Sequence, residues 1–291
     1  MAVGETIGLL VGLLIDGIGS GLILAMLGLG ITLVFGLGGV LNLSQGVFSI
    51  IGILIAVEAF GIFPNVVVSV VAAFLLTGIV ALAIDRSLLP LVYRSEGEER
   101  MLVGIFVTLG LAFFLEGLLV LRYPDVYAVH AEFPLMSYMG GNLQIRGASL
   151  AVIAISVVVF AVLYWFFDRT YVGQATRTVM QDEVGATLCG IDTRMLRTYV
   201  FILSAMVAAI AGALYSLSGE VQVASGFALT INAVIVSVVG GVTSISGTVL
   251  AGLALGIITT FASAFIGAYF SAISLFVVAI AVLVYKPEQI A

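Results

Sequence analysis

Few side chains in this sequence could perform catalytic or metal chemistry. The chain of 291 residues has a single Cys, Cys189, and a single His, His130. One Cys cannot form a disulfide framework or a Cys-based metal site, and the lone His has no partner ligands. The only Lys, Lys286, is followed by Pro287, so the sequence lacks the phosphate-binding GxxxxGK(S/T) loop of ATPases. We therefore expect no catalytic residue, no metal site and no cofactor.

Three carboxylates lie within or beside long apolar segments: Asp16, Glu58 and Glu116. A carboxylate at the centre of a bilayer costs roughly 2.5–3.5 kcal/mol on insertion scales, so each of these should face protein or water. A proton-coupled carrier would use such a group as a relay, but no other apolar segment supplies a His or a basic partner. A structural or cavity role is favoured, and Glu116, in the middle of its segment, is the strongest candidate.

Two glycine-rich stretches carry polar side chains between apolar segments. GLGGVLNLSQG covers residues 36–46, and VVGGVTSISGT covers residues 238–248. Such runs break helices, and paired broken segments in the two halves of a transporter indicate the substrate route. Tight turns at the membrane surface have the same composition, and both interpretations stay open. If these stretches line the substrate route, the residues predicted for the translocation path are Asn42, Ser44, Gln45, Gly46, Glu116, Gly240, Gly241 and Ser244.

A third stretch, GQATRTVMQDEVGATLCGI at 173–191, is hydrophilic. Asp182 is placed to cap a short helix, and Gly190 to end it. Val184 and Leu188, four residues apart, form a short apolar stripe. A helix that binds lipid headgroups would instead carry Lys and bulky apolar residues, so the pattern predicts a docking surface for another protein. The residues assigned to it are Gln181, Asp182, Glu183, Val184, Gly185, Ala186, Leu188 and Gly190.

The rest of the chain has the composition of an α-helical membrane protein. Hydrophobic residues make up 62% and charged residues 9%, with a mean hydropathy of +1.30, whereas soluble domains carry about 25% charged residues. The apolar segments suit spans of about 20 residues and lack the alternation of an outer-membrane barrel. The predicted fold is all-α and polytopic, with about eight or nine transmembrane helices, some broken by Gly, at 7–35, 46–61, 65–85, 101–121, 148–167, 197–218, 226–241, 247–263 and 269–285.

Basic residues predict which side of the membrane each connecting segment faces. Most of the Arg residues lie in 86–100 and 168–197, and Lys286 follows the last apolar segment, whereas 122–147 carries only Arg122 and Arg146. Cytoplasmic loops are enriched in Lys and Arg. The first two segments and the C-terminus are therefore predicted to be cytoplasmic, and 122–147 external. Nine crossings with an external N-terminus satisfy this assignment.

Two pairs of glycines predict close contacts between helices. Gly17 and Gly21, and Gly252 and Gly256, are each four residues apart. This spacing places both glycines of a pair on one helix face, where another backbone can approach. General helix packing is favoured over a specific dimerisation motif.

Taken together, these segments resemble the permease subunits of branched-chain amino-acid ABC importers, the Liv-type H subunit family. ILAMLGLGITLVFGLGGVLNLSQG is similar to that family's first span and the signature after it, and residues 173–191 resemble its coupling loop. SVVGGVTSISGTVLAGLALG and VLVYKPEQI are similar to its later glycine-rich region and its closing segment. The resemblance covers nearly the whole chain. Gln45 stands where the family signature has His, and Thr243 where the family often has Gly.

The resemblance implies one transmembrane permease domain over residues 1–291, with a coupling-helix loop at about 173–192. It implies that the short helix docks into a cytoplasmic ATP-binding subunit, which hydrolyses ATP, so this chain would not itself be an enzyme. A second permease subunit would complete the path, and an extracytoplasmic substrate-binding protein would deliver the solute. The chain would lie in the plasma membrane, in contact with the lipid bilayer, and would bind no nucleic acid.

Other functions are compatible with parts of this pattern. An ABC permease for urea or short amides would share the architecture. A secondary carrier for a small polar solute would need a coupling-ion site within its spans, and a membrane enzyme would need clustered His, Asp or Ser–Lys groups at one depth. The sparse ionisable residues argue against the last two.

Overall fold

The computed structural model describes residues 2–93, 97–131, 136–138 and 143–285, and it is predominantly helical. Arg94 and Lys286, which contribute to the predicted orientation, lie outside the described residues. Two short antiparallel strand pairs, β1 (Val126–Tyr127) with β4 (Val221–Gln222) and β2 (Met136–Tyr138) with β3 (Leu143–Ile145), add to the predicted all-α fold. The helices are α1 (Ala2–Gly38), α2 (Gln45–Ile62), α3 (Val66–Ser87), α4 (Leu89–Val92), α5 (Gly97–Arg122), α6 (Gly147–Arg169), α7 (Tyr171–Gln181), α8 (Glu183–Leu188), α9 (Thr193–Ser218), α10 (Gly226–Gly240), α11 (Ile245–Phe265) and α12 (Ala268–Tyr285).

Within the described residues, eight helices are long and apolar enough to cross a membrane: α1, α2, α3, α5, α6, α9, α10 with the turn before it, and α11. The apolar part of α12, Ala268–Val282, is shorter. Each predicted span coincides with one of these helices to within a few residues. The prediction of a polytopic protein with about eight or nine transmembrane helices is confirmed.

The segment 168–197 contains more helix than the sequence predicted. Besides the expected short helix α8, it holds α7, which starts directly after α6. The Thr170 hydroxyl accepts a hydrogen bond from the N–H of Gly173 (3.1 Å) and caps α7. A Cβ on Gly173 would overlap the carbonyl of Phe166, so glycine is what allows the chain to turn this tightly.

The connecting segments gather at two opposite ends of the helix bundle. At one end, Thr198 of α9 donates to Asp85 of α3 (2.9 Å). At the other, Ser149 of α6 donates to Asp16 of α1 (2.6 Å), and strand β1, which follows α5, pairs with β4, which follows α9. The arginine-rich connections thus share one end and the segment after α5 lies at the other. Following the orientation predicted from the basic residues, we call these the cytoplasmic end and the external end.

Helix α1 is the centre of the bundle, and glycines bring α11 against it. A Cβ on Gly252 would lie 2.5 Å from the Cα of Ala25, and a Cβ on Gly256 would overlap the backbone of Gly21. The predicted close contact between glycine-bearing helices is therefore confirmed, and it joins two parts of the same chain.

Adding one methyl group at this contact is expected to destabilise the protein. Gly256→Ala should cost about 1–3 kcal/mol, because overpacking must push two backbones apart. Gly117→Ala is the control, since its Cβ meets nothing within 4 Å and Ala is the better helix former by about 1 kcal/mol. Thermal unfolding in detergent should show a lower midpoint for the first variant only. An unchanged or raised midpoint for Gly256→Ala would contradict the α1–α11 contact.

Candidate functional site

The short helix predicted in the hydrophilic stretch is present as α8, and both of its ends form as expected. The Asp182 carboxylate accepts a hydrogen bond from the N–H of Gly185 (2.9 Å). Gly190 has a φ of +83°, and the N–H of Ile191 donates to the carbonyl of Ala186 (3.1 Å). This is a Schellman ending, in which a left-handed glycine lets the last carbonyls be satisfied. The residues assigned to the docking surface thus lie on α8, on its caps and at the end of α7.

Helix α8 has one face against the protein and one face open. Ala186 is 1% exposed and anchors the inner face, whereas Val184 is 71% exposed and Leu188 is 84% exposed. The apolar stripe read from the sequence therefore points outward, at the cytoplasmic end. Two exposed aliphatic side chains on a short capped helix form a small convex surface that a groove could bind.

Arg197, near the start of α9, ties α8 to the body of the protein. Its guanidinium is 8% exposed and forms an ion pair with Glu183 in the first turn of α8. Its Nε donates to the carbonyl of Leu37 at the end of α1 (3.4 Å). Arg197 therefore joins α8, α9 and α1 through one side chain. In the sequence, Arg197 is only one of several basic residues that predict which side of the membrane this segment faces.

The same guanidinium stacks on an aromatic ring at the end of α4. The Arg197 Cζ lies 5.4 Å from the centroid of the Tyr93 ring, within the range of a cation–π interaction. Burial raises the pKa of Tyr93, and the nearby Asp85 carboxylate raises that pKa further. The phenol thus stays neutral. Arg197 therefore contacts both α8 and the segment that follows α3.

The predicted path residues at the start of α2 are buried among neighbouring helices. Asn42 Oδ1 accepts hydrogen bonds from the N–H (3.1 Å) and the hydroxyl (2.6 Å) of Ser44. The Ser204 hydroxyl of α9 donates to Gln45 Oε1 (2.9 Å), and Gln45 Nε2 donates to the Ser204 carbonyl (3.3 Å). Asn42, Ser44 and Gln45 are each 0% exposed. They stabilise the break between α1 and α2 against α9.

Gly46 and Glu116 both lie against the first turn of α10. The N–H of Gly46 donates to Thr230 Oγ1 (2.9 Å), and a Cβ on Gly46 would overlap the Gly226 carbonyl. Glu116 lies beside the same turn, since a Cβ on Gly226 would be 3.0 Å from its Oε2, which has no hydrogen-bond partner among the described residues. A helix N-terminus favours negative charge, which gives this membrane-embedded carboxylate a stabilising neighbour.

The second glycine-rich stretch forms the turn between α10 and α11. Gly241 has a φ of +94°, and Ser244 Oγ accepts from the N–H of Gly247 (3.1 Å) to cap α11. A Cβ on Gly240 would overlap the backbone of Thr248. Gly240, Gly241 and Ser244 therefore shape a tight turn between two packed helices.

None of the eight predicted path residues lines either of the two cavities that flank α1, α6 and α11. Their role in translocation stays a prediction. The first cavity, of about 730 Å³, lies at the external end, and we call it the external cavity. Its lining is polar near the ends of α1, α6 and α11 and apolar deeper along α1. The polar residues include Asp16, Ser20, Arg146, Asn232, Thr260 and Ser263, and the apolar ones include Ile23, Leu27, Val152 and Leu229.

The second cavity, of about 790 Å³, lies towards the cytoplasmic end, and we call it the inner cavity. It is bounded by α6, by α7 and by the turn between α10 and α11. Arg177 and Gln181 of α7 line it, so it ends beside α8. Its other lining residues include Leu29, Phe160, Tyr164, Thr243, Ser246 and Leu250.

One face of α6 extends from the external cavity to the inner cavity. Val152 lines the external cavity, and Phe160 lines the inner one. Ser156 lies midway between them, four residues from each and therefore on the same helix face. Ser156 is 0% exposed, and its buried hydroxyl has no hydrogen-bond partner among the described residues. A buried polar group without a partner thus lies on the face of α6 between the two cavities.

Over the described part of the chain, no group of three His, Cys, Asp or Glu side chains is arranged to hold a metal ion. Cys189 is exposed and free.

Comparison with known proteins identifies a family for this arrangement. A family model described as the branched-chain amino acid transport system / permease component matches residues 13–284. The chain is 27% identical to the high-affinity branched-chain amino acid transport system permease protein BraD of Pseudomonas aeruginosa, over 95% of this chain and 94% of that protein. It is 26% identical to the corresponding permease protein LivH of Escherichia coli strain K12, over 94% of this chain and 93% of that protein.

An archaeal relative is similar over a shorter region. The chain is 28% identical to the probable branched-chain amino acid transport permease protein LivH of Methanocaldococcus jannaschii, over 81% of this chain and 75% of that protein. The family match includes α8, Arg197 and the helices that bound both cavities. This protein therefore belongs to the family of permease components of branched-chain amino acid transport systems.

Proposed function

We propose that this chain is the membrane-spanning subunit of an ABC importer for branched-chain or related amino acids, driven by ATP hydrolysis in a separate subunit. Family membership and the names of the relatives support the substrate class. The observation that carries the mechanism is the link made by Arg197. Through it, a helix with an exposed apolar face is joined to α1, which lines the external cavity.

The first step of the mechanism is docking of the ATPase onto α8. Val184 and Leu188 offer exposed aliphatic side chains, and the cap of Asp182 and the ending at Gly190 keep α8 formed before binding. A preformed helix loses little conformational entropy when a groove takes it up.

The second step is transmission of movement from α8 to the membrane helices. A displacement of Glu183 moves Arg197, and with it the start of α9 and the carbonyl of Leu37 at the end of α1. Farther along α1, Leu29 lines the inner cavity and Leu27 the external cavity. A shift of α1 relative to α6 can therefore close one cavity while it opens the other, as alternating access requires.

The proposed complex has further members. Two cytoplasmic ATP-binding subunits, a second permease subunit and an extracytoplasmic substrate-binding protein follow from a transport system of this kind. The solute would enter at the external cavity, and the second permease subunit would complete the path beside α6 and α11. Exposed apolar side chains on α5, such as Phe106 and Phe114 at 71% and 63% exposure, suit contact with lipid.

Docking is tested by substitutions on the open face of α8. Leu188→Asp should reduce co-purification of the ATPase by at least about tenfold, because an interface anchor contributes about 2 kcal/mol or more and a buried charge costs more still. Thr178→Asp, on the exposed face of α7, is the matched control and should bind normally. Equal recovery of the ATPase with both variants would exclude α8 as the docking helix.

Two other substitutions should weaken docking to different extents. A Cβ on Gly185 would lie 2.6 Å from Asp182 Oδ2, so Gly185→Trp both blocks the surface and disturbs the cap, and it should abolish co-purification. Asp182→Ala removes only the cap, at a cost of roughly 0.5–2 kcal/mol, and binding can restore the helix. Pull-down should therefore rank Asp182→Ala between the native chain and Gly185→Trp, and the reverse order would contradict this interpretation.

The proposed orientation is tested by thiol labelling in a Cys189→Ser background. Ser263→Cys in the external cavity should react in whole cells with a maleimide that cannot cross membranes. Thr187→Cys on α8 is equally exposed in the structure but should react only after the cells are opened. Labelling of Thr187→Cys in intact cells would reverse the orientation.

A further inference from the structure

The external cavity is lined by two residues of opposite charge that form no ion pair with each other or with another side chain of the described residues. Asp16 on α1 and Arg146 at the start of α6 both line it. The ion pairs of the described residues, within 4.0 Å, join Arg169 and Arg177 to Asp168 and Arg197 to Glu183. Asp16 and Arg146 thus line the same space without an ion-pair partner among the described residues.

The position of the Asp16 carboxylate is fixed by a neutral hydrogen-bond donor. Its Oδ1 accepts a hydrogen bond from the Ser149 hydroxyl (2.6 Å). Ser149 is itself held in the first turn of α6, where its N–H donates to the Arg146 carbonyl (3.1 Å). A neutral donor orients a carboxylate but leaves its charge for a cation. The same turn of α6 therefore positions both charges.

Below these charges the cavity becomes apolar. Ile23 and Leu27 of α1, Val152 of α6 and Leu229 of α10 line it and are each less than a tenth exposed. Asn232, one turn after Leu229, adds an amide at the boundary. A ligand that fits this arrangement has an ammonium, a carboxylate and an aliphatic side chain.

We propose that the external cavity is a recognition site for a zwitterionic aliphatic amino acid, with Asp16 binding its ammonium group and Arg146 its carboxylate. The guanidinium suits a carboxylate because its planar donors can bind both oxygens. The aliphatic side chain would lie against Ile23, Leu27 and Val152. This inference rests on the proposed function and extends it, since a permease for urea or a neutral amide has no use for two opposite unpaired charges.

The site is tested by ligand protection of a thiol in the assembled transporter. Ser20 is exposed in the cavity, and Ser20→Cys in the Cys189→Ser background is labelled with a maleimide. Leucine should slow this labelling, whereas leucinamide, urea and 4-methylpentanoate should not, because each lacks one or both charged groups. Asp16→Asn and Arg146→Gln should each raise the leucine concentration that halves labelling by at least about tenfold.

Matched controls are Glu58→Gln and Arg122→Gln, two exposed charges outside the cavity, which should leave protection unchanged. A transporter that takes up leucine but shows no protection would overturn the site and leave the proposed function standing. Equal protection by leucinamide or urea would overturn the assignment of Arg146. Absence of leucine uptake in the unmodified transporter would instead contradict the proposed function.

Discussion

Replacement of Arg197 by Met is expected to reduce ATP-driven uptake by roughly 5- to 150-fold, the range of a coupling free energy of 1–3 kcal/mol, while the ATPase stays bound. Met keeps an unbranched apolar stem of shorter length, and it removes the ion pair to Glu183, the bond to the Leu37 carbonyl and the guanidinium that stacks on Tyr93. The outer face of α8 does not change. ATP hydrolysis should therefore continue without matching solute movement.

The variant should fold, because Glu183 is half-exposed and can be hydrated when its partner is lost. Arg194→Met, one turn earlier on the same helix and exposed, is the control and should transport normally. Glu183→Gln should cause a loss similar to that of Arg197→Met, and the double variant should lose no more than either, since both break one link. Additive losses, or normal uptake in Arg197→Met, would show that movement reaches α1 by another route.

Ser156→Cys is expected to become reactive only while the transporter is turning over. In the resting structure the side chain is 0% exposed between the two cavities, so a small water-soluble thiol reagent should not reach it. Opening of the path during ATP hydrolysis should expose it, and the attached group should then block uptake almost completely. The measurement is residual uptake after treatment with the reagent, with and without ATP, in the Cys189→Ser background.

Val158→Cys is the control for this experiment, because it is 61% exposed on another face of α6. Its modification should not depend on ATP and should leave uptake nearly unchanged. Reaction of Ser156→Cys at the same rate with and without ATP would show that the path does not open beside this face of α6.

The membrane helices and the short helix α8 were predictable from the sequence because their signals are local. Apolar length defines the spans, and Asp182 and Gly190 define the ends of α8 by capping chemistry that involves only near neighbours. The glycine pairs of α1 and α11 were recognisable for the same reason, since a spacing of four residues marks one helix face.

The cavities and the Arg197 link could not be predicted, because they depend on contacts between distant parts of the chain. Asp16 and Arg146 line one cavity only because α6 packs beside α1, and Arg197 reaches Leu37 across 160 positions. The glycine-rich stretches drew attention to Asn42 and Gln45, but these side chains are buried and bond to Ser44 and Ser204 within the protein. A signal for the external cavity did exist in Asp16, a carboxylate in an apolar segment.

The central claim, that this permease moves an amino acid only when a partner hydrolyses ATP, is tested most directly by leucine uptake into proteoliposomes. This chain is reconstituted with its second permease subunit and the ATP-binding subunits, with the substrate-binding protein on the external side and ATP on the side of α8. We predict uptake that requires ATP and the binding protein, falls to background in Leu188→Asp, and is unaffected by collapse of proton or sodium gradients. Uptake by this chain alone, driven by an ion gradient without ATP, would contradict the account and indicate a secondary carrier.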